Sequence, residues 1–134
     1  MSKQTVLILD DMLPILDIFK KALSNNYDVI ITSSLNQAKT LTSVVQFDFV
    51  FTDVNLGSDG SIGGFNFINY LIDQNFLGKI IVMSGYMQPI PDKMNDRIDY
   101  ILHKPFYISD VLSILEGKLS DFNNTIDSSD NSDN

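Results

Sequence analysis

Five polar side chains carry the chemistry open to this sequence: Asp10, Asp11, Asp53, Ser84 and Lys104. Each sits at or just beyond the end of a short apolar run. TVLIL (5–9) leads into the acid pair, FDFVFTDVNL (47–56) carries Asp53, KIIVMS (79–84) closes on Ser84, and DYILH (99–103) gives way to Lys104 and Pro105. Runs of β-branched and large apolar residues of this length read as strands. A carboxylate at the end of a buried strand is costly unless something compensates it. Taken alone, Asp53 could be a ligand, a nucleophile or a turn acid. If the strands are parallel, their C-terminal ends share one edge, and three carboxylates, a hydroxyl and an ammonium meet at one rim. Close carboxylates repel one another unless a cation neutralises them. An all-oxygen set suits a hard divalent ion, Mg²⁺ before Ca²⁺, which keeps waters and can bring phosphate oxygens to the site. Lys104 and Ser84 would give a phosphoryl group its counter-charge and hydrogen bond.

The elements that must position these residues follow from periodicity. After TVLIL, apolar residues recur at 12, 15, 16, 19, 22 and 23, a one-sided helical stripe, with Pro14 suited to its first turn. YDVIIT (27–32) is a second strand. Ser34 and Gln37 form a capping box, and Ala38, Leu41 and Val45 continue the second helix. A glycine-rich loop, GSDGSIGGF, separates the Asp53 strand from a third helix marked by Phe67, Ile68, Leu71 and Ile72. Pro89 and Pro91 leave room only for a short fourth helix that starts late. Ile108, Val111, Leu112, Leu115 and Leu119 mark an amphipathic last helix. Five βα units in series imply a parallel sheet with helices on both faces.

The chain has 134 residues, enough for one domain with a real core. Two parts are expected: a folded domain over 1–119 and an acidic, polar tail over 120–134 with almost nothing to bury. The absence of cysteine excludes disulfides and thiolate metal sites. A formal charge of −8 argues against a nucleic-acid surface, although four of the acids lie in the tail. No apolar run reaches membrane-span length, and the N-terminus lacks the features of a secretory signal, so a cytoplasmic protein without membrane insertion is expected.

The pieces LILDD, VFTDVNL, IVMSGY and HKPF, in this order and at these strand ends, make the sequence resemble the receiver domain of two-component response regulators over residues 4 to about 119. The resemblance implies a flavodoxin-like (βα)5 fold, a doubly wound three-layer sandwich whose parallel sheet has the order 2-1-3-4-5. It implies that Asp53 accepts a phosphoryl group from a sensor histidine kinase or a histidine phosphotransfer protein. Asp10, Asp11, Asp53 and the backbone carbonyl of Asn55 would hold Mg²⁺, with Mn²⁺ as the substitute. Ser84 would bond a phosphoryl oxygen and move when it arrives, Lys104 would pair with the group, and Pro105 would follow a cis peptide bond. Asn55 and Tyr86 would flank the phosphoaspartate. The expected product is a phosphoacceptor signalling domain, standing alone and acting through a downstream protein target. It would not be an enzyme beyond self-phosphorylation and slow autodephosphorylation.

Three features depart from that pattern. Ile101 stands where the family has an aromatic, and strand alternation points the neighbouring Tyr100 to the other face. Gly64 lies further from Asp53 than the pattern places it, and Gly57 replaces a common proline. The fourth helix is curtailed. A receiver-like interaction module that does not switch, for which Ile101 is the ground, is one alternative. A small phosphatase with an Asp nucleophile is the other, weakened because Asn55 stands where a second Asp belongs. The acid pair also suits a helix cap, Asp11 in particular. The run DVNLGSDG fails as an EF-hand loop, with Ser58 where glycine is required. The loop glycines lack dinucleotide-binding spacing. The single His103 reads as a strand-end residue, and NNT (123–125) carries little meaning as a glycosylation pattern.

Overall fold

A computed structural model of the chain describes residues 2–54, 63–85 and 90–118. Strands and helices alternate through β1 (Gln4–Leu9), α1 (Leu13–Leu23), β2 (Tyr27–Thr32), α2 (Leu35–Val44), β3 (Phe49–Asp53), α3 (Gly63–Asp73), β4 (Lys79–Ser84), α4 (Asp92–Asn95), β5 (Tyr100–His103) and α5 (Ile108–Leu115). All strand pairs are parallel, in the order β2-β1-β3-β4-β5. This is the expected flavodoxin-like arrangement. The strand sequences are apolar on both sides because the sheet is buried on both faces. Val6, Ile8, Phe49, Phe51, Ile81 and Met83 point into a core shared with Leu16, Phe19, Val111 and Ile114 of α1 and α5. Leu7, Leu9, Val50, Ile80 and Val82 point the other way, onto Ala38, Phe67, Ile68 and Leu71 of α2 and α3.

β2 and β4 have the bounds expected, whereas β3 and β5 start later than the apolar runs suggested. Two aspartates account for the difference. The Asp48 carboxylate accepts the Thr5 N–H at 2.8 Å, and the Asp99 carboxylate accepts the Ile80 N–H at 2.8 Å. Each acid bonds the neighbouring strand through its carboxylate as well as its backbone. The α1 stripe buries Leu16, Phe19 and Leu23 and half-buries Ile15, but Met12 and Ala22 stay exposed. The capping box at α2 forms only by half. Ser34 Oγ accepts the Gln37 N–H at 3.1 Å, but the Gln37 side chain pairs with the Thr32 hydroxyl. α4 has four residues, the curtailed helix that the prolines imply. Leu119, residues 55–62 with most of the glycine-rich loop, and the tail over 120–134 lie outside the described residues. The last three residues of that loop, Gly63, Gly64 and Phe65, instead open α3.

Gly78 closes the bottom of the sheet where α3 returns to β4. A Cβ there would stand 2.6 Å from Phe76 Cζ and 2.7 Å from both the Asp48 and Phe47 carbonyl oxygens. Two of these neighbours are backbone atoms, which cannot rotate aside. Gly78→Ala should therefore lower the unfolding free energy by about 2 kcal/mol, the scale of overpacking in a tight core. Urea denaturation against wild type checks this; an unchanged midpoint would show that the α3–β4 turn adapts.

Candidate functional site at the strand ends

The polar strand ends converge as the parallel topology requires. Asp10 follows β1 and is fully buried, Asp53 ends β3 at 3% exposure, and Ser84 ends β4 at 7%. Lys104 follows β5 and turns its ammonium inward, donating to Asp10 Oδ2 at 2.8 Å and to Asp53 Oδ2 at 3.2 Å. Carboxylate oxygens of Asp10, Asp11 and Asp53 lie within 4.8 Å of one another. Asp10 and Asp53 are buried and Asp11 is exposed, so the cluster opens to solvent on the Asp11 side.

Local structure fixes each group. The Asp10 N–H donates to the Thr32 carbonyl at 3.2 Å, which ties the end of β1 to β2. Asp10 Oδ1 accepts the Met12 N–H at 2.9 Å, an Asx turn two residues long. This corrects the capping assignment: α1 takes Met12 as its N-cap, with no side-chain cap bond, and Asp11 does not cap it. The Asp11 side chain is left at the open side of the acid cluster. The Val54 N–H donates to the Met83 carbonyl at 3.1 Å and the Lys104 N–H to the Ser84 carbonyl at 2.8 Å, tying the ends of β3, β4 and β5 together. The Lys104–Pro105 peptide bond is cis. Ser84 thus lies between the Asp53 strand and Lys104, on the rim predicted for it.

The Met12 N–H is a participant that inspection of side-chain types passes over. Its signal was the position of Asp10 two residues before the helix start, the pattern in which an aspartate bonds a backbone N–H further on. Asn55 and Tyr86 lie outside the described residues. Ile101 faces the α2/α3 core, while Tyr100 is buried in the α1/α5 core, so the two residues do lie on opposite faces. His103 is exposed at its strand end.

Two buried carboxylates beside one ammonium leave the site with excess negative charge. A divalent cation would offset that excess, and the donors, all carboxylate oxygens with one open side, fit a hard ion that retains water. Burial is the largest influence on Lys104 and favours its neutral form. The hydrogen bond and charge of Asp10, followed by those of Asp53, outweigh it and raise its pKa above the usual 10.5. A lysine with a higher pKa folded than unfolded adds stability that is complete below the unfolded pKa and is lost as pH rises through the folded one. The unfolding free energy should therefore fall on going above about pH 10.5. Tyr27, raised by burial and then by Glu116, acts in the same alkaline window. Urea denaturation at stepped alkaline pH should show a shallower loss in Lys104→Met than in wild type. Equal slopes would mean that Lys104 contributes nothing to it.

Comparison with known proteins agrees with the geometry. No curated protein matches the sequence. Solved structures do match. A CheY-like response regulator receiver domain from Methylobacillus flagellatus is 24% identical, with TM-score 0.71, over 87% of this chain and 98% of its own. A CheY-like receiver domain protein from Methanospirillum hungatei JF-1 is 23% identical, with TM-score 0.75, over 87% and 94%. A response regulator from Burkholderia pseudomallei, solved with a phosphorylated aspartic acid, calcium ion and citrate, is 24% identical, with TM-score 0.68, over 83% and 65%. Such identities speak to the fold. The family profile of the response regulator receiver domain matches residues 6–116. The chain belongs to the response regulator receiver domain family.

Proposed function

We propose that this receiver takes a phosphoryl group on Asp53 from a sensor histidine kinase or a histidine phosphotransfer protein in the cytoplasm. The change of charge then alters the binding of a downstream protein target. One observation carries the reading: the nearly buried Asp53 carboxylate lies 3.2 Å from the Lys104 ammonium and within the three-acid oxygen cluster. In the transfer, the donor's P–N bond breaks and its electron pair stays on the imidazole nitrogen. A carboxylate oxygen of Asp53 forms the new P–O bond. A carboxylate is a weak nucleophile but a phosphoimidazole is a reactive donor, so positioning and charge stabilisation are enough.

Asp10, Asp11, Asp53 and the carbonyl of Asn55 would hold Mg²⁺, or Mn²⁺, which when bound supplies positive charge for the phosphoryl oxygens. Lys104 would exchange its carboxylate partners for a phosphoryl oxygen, and the Ser84 hydroxyl would donate to another. Pro105 sets the path of the chain out of the site, and Tyr86 would flank it with Asn55. The phosphorylated aspartic acid in the Burkholderia pseudomallei protein supports the assignment by likeness of fold.

Acetyl phosphate with Mg²⁺ tests the reading. Intact-protein mass spectrometry should show a gain of one phosphoryl group, removed by hydroxylamine and prevented by a chelator. No gain in saturating Mg²⁺ would sink it, and turnover of general phosphate esters would favour the phosphatase alternative. A second reading, a receiver-like interaction module that does not switch, draws on the placement of Ile101 on the α2/α3 core with Tyr100 on the opposite face. In that case acetyl phosphate and Mg²⁺ would give no gain in mass.

A further inference from the structure

β2 is an edge strand, with β1 as its one strand neighbour among the described residues. The parallel ladder with β1 uses alternate residues. The Asp10 N–H bonds the Thr32 carbonyl, so Asp28, Ile30 and Thr32 turn their backbone groups inward, and Tyr27, Val29 and Ile31 turn theirs outward. An outward row of N–H and carbonyl groups is a template for another strand. The segment suits that use: YDVIIT has four β-branched residues and a tyrosine, a single charge, and neither proline nor glycine. Beside it, a groove of about 450 Å³ lined by Leu13, Pro14, Leu16, Asp17 and Ile31 would receive a side chain of the added strand.

One side chain closes this edge. Lys20, in the last turn of α1, donates to the Val29 carbonyl at 2.7 Å. Val29 is the middle of the three outward residues, so the ammonium sits where a partner strand would have to bond. Among the described residues no carboxylate pairs with Lys20, whereas the next lysine, Lys21, pairs with Asp17 at 3.3 Å. The Val29 carbonyl is therefore the group that holds Lys20. We propose that Lys20 keeps β2 closed to a second copy of this chain, and that without it two chains pair antiparallel through β2 about a two-fold axis at Val29. The occupant follows from the strand itself. Centring on Val29 sets Tyr27 opposite Ile31 and Asp28 opposite Ile30, so the two acids do not face each other and each outward N–H finds an outward carbonyl. With Lys20 present, the same approach would drive two ammonium groups together at the centre of the pairing and strip both from their carbonyls.

The test needs no phosphoryl donor and stands apart from the phosphoacceptor reading. Full-length wild type, Lys20→Ala and Lys20→Arg are compared by sedimentation velocity over a concentration series, with amide hydrogen exchange on the same samples. Lys20 is exposed and alanine favours a helix, so the variant keeps its fold. The expected result is association of Lys20→Ala that reverses on dilution and is absent from wild type and Lys20→Arg at the same concentration. In wild type the amides of Val29 and Ile31 should exchange faster than those of Ile30 and Thr32, which bond β1. In associated Lys20→Ala the Val29 and Ile31 amides should slow by about tenfold. A Lys20→Ala chain that sediments as wild type does overturns the proposal. So does association that leaves the Val29 and Ile31 amides unprotected, or association that Lys20→Arg shares in full.

Discussion

Asp53→Asn should take up no phosphoryl group from acetyl phosphate and Mg²⁺, while remaining at least as stable as wild type in metal-free buffer. The substitution keeps the shape of the side chain and removes one charge. Asp53 is 3% exposed and shares the rim with Asp10 and Asp11, whose oxygens lie within 4.8 Å of its own. Removing one of three clustered carboxylates relieves their mutual repulsion. Lys104 keeps its shorter bond, 2.8 Å to Asp10. The same change removes a cation donor, so stabilisation by Mg²⁺, which scales with occupancy, should shrink. Thermal unfolding with and without Mg²⁺, beside intact mass after acetyl phosphate, measures both arms. A variant that gains mass would move the acceptor to another residue. One that loses several degrees in metal-free buffer would mean that Asp53 serves packing more than charge.

Lys104→Met carries the second large effect, and its size depends on metal. The ammonium is the charged partner of a fully buried Asp10 and a nearly buried Asp53. Removing one side of a buried pair leaves an uncompensated charge and costs about 3 kcal/mol or more. Asp10 retains the Met12 N–H on Oδ1, which sets the expectation at the lower end of that range. In the presence of Mg²⁺ much of the loss should return, because the cation takes over the role of counter-charge. Metal should therefore stabilise the variant more than wild type. Phosphoryl uptake should still fall by about 10²-fold, the usual effect of removing one preorganised charge at a transferring group. Urea titrations in chelator and in Mg²⁺, with uptake rates followed by mass, decide the matter. Equal destabilisation under both conditions would show that Lys104 and the cation do not share a charge-balancing role.

How far the site was legible follows from where its residues sit. Asp10, Asp53, Ser84 and Lys104 each end or follow a short, mostly apolar run, and parallel pairing brings all such ends to one edge, so their convergence followed from sequence. β2 and β4 were legible to the residue because Asn26 and Gly78 mark their starts sharply. Asp48 and Asp99 were misplaced because they look like strand members, whereas their carboxylates bond the backbone of the adjacent strand, a contact decided by register. Gln37 failed as a capping residue for a similar reason: the Thr32 hydroxyl, brought close by the turn after β2, competes for it. The cap assigned to Asp11 was lost to backbone geometry, since the Asx turn at Asp10 uses the Met12 N–H and leaves Asp11 at the open side. Side-chain type shows which groups can act, and register decides which of them meet.

The clasp at the opposite end of the sheet has its own consequence. Asp48 exchanges bonds with both the N–H and the carbonyl of Thr5 and accepts the Lys79 N–H, Asp99 does the same for Ile80, and Gly78 allows no slack between them. Four strands are riveted at their roots, so a new charge at their tips would bend the sheet like a set of reeds held in a vice. Displacement would grow toward the Ser84 end and vanish near Thr5, and amide exchange should follow that gradient, slow at Ile80 and faster at Ser84.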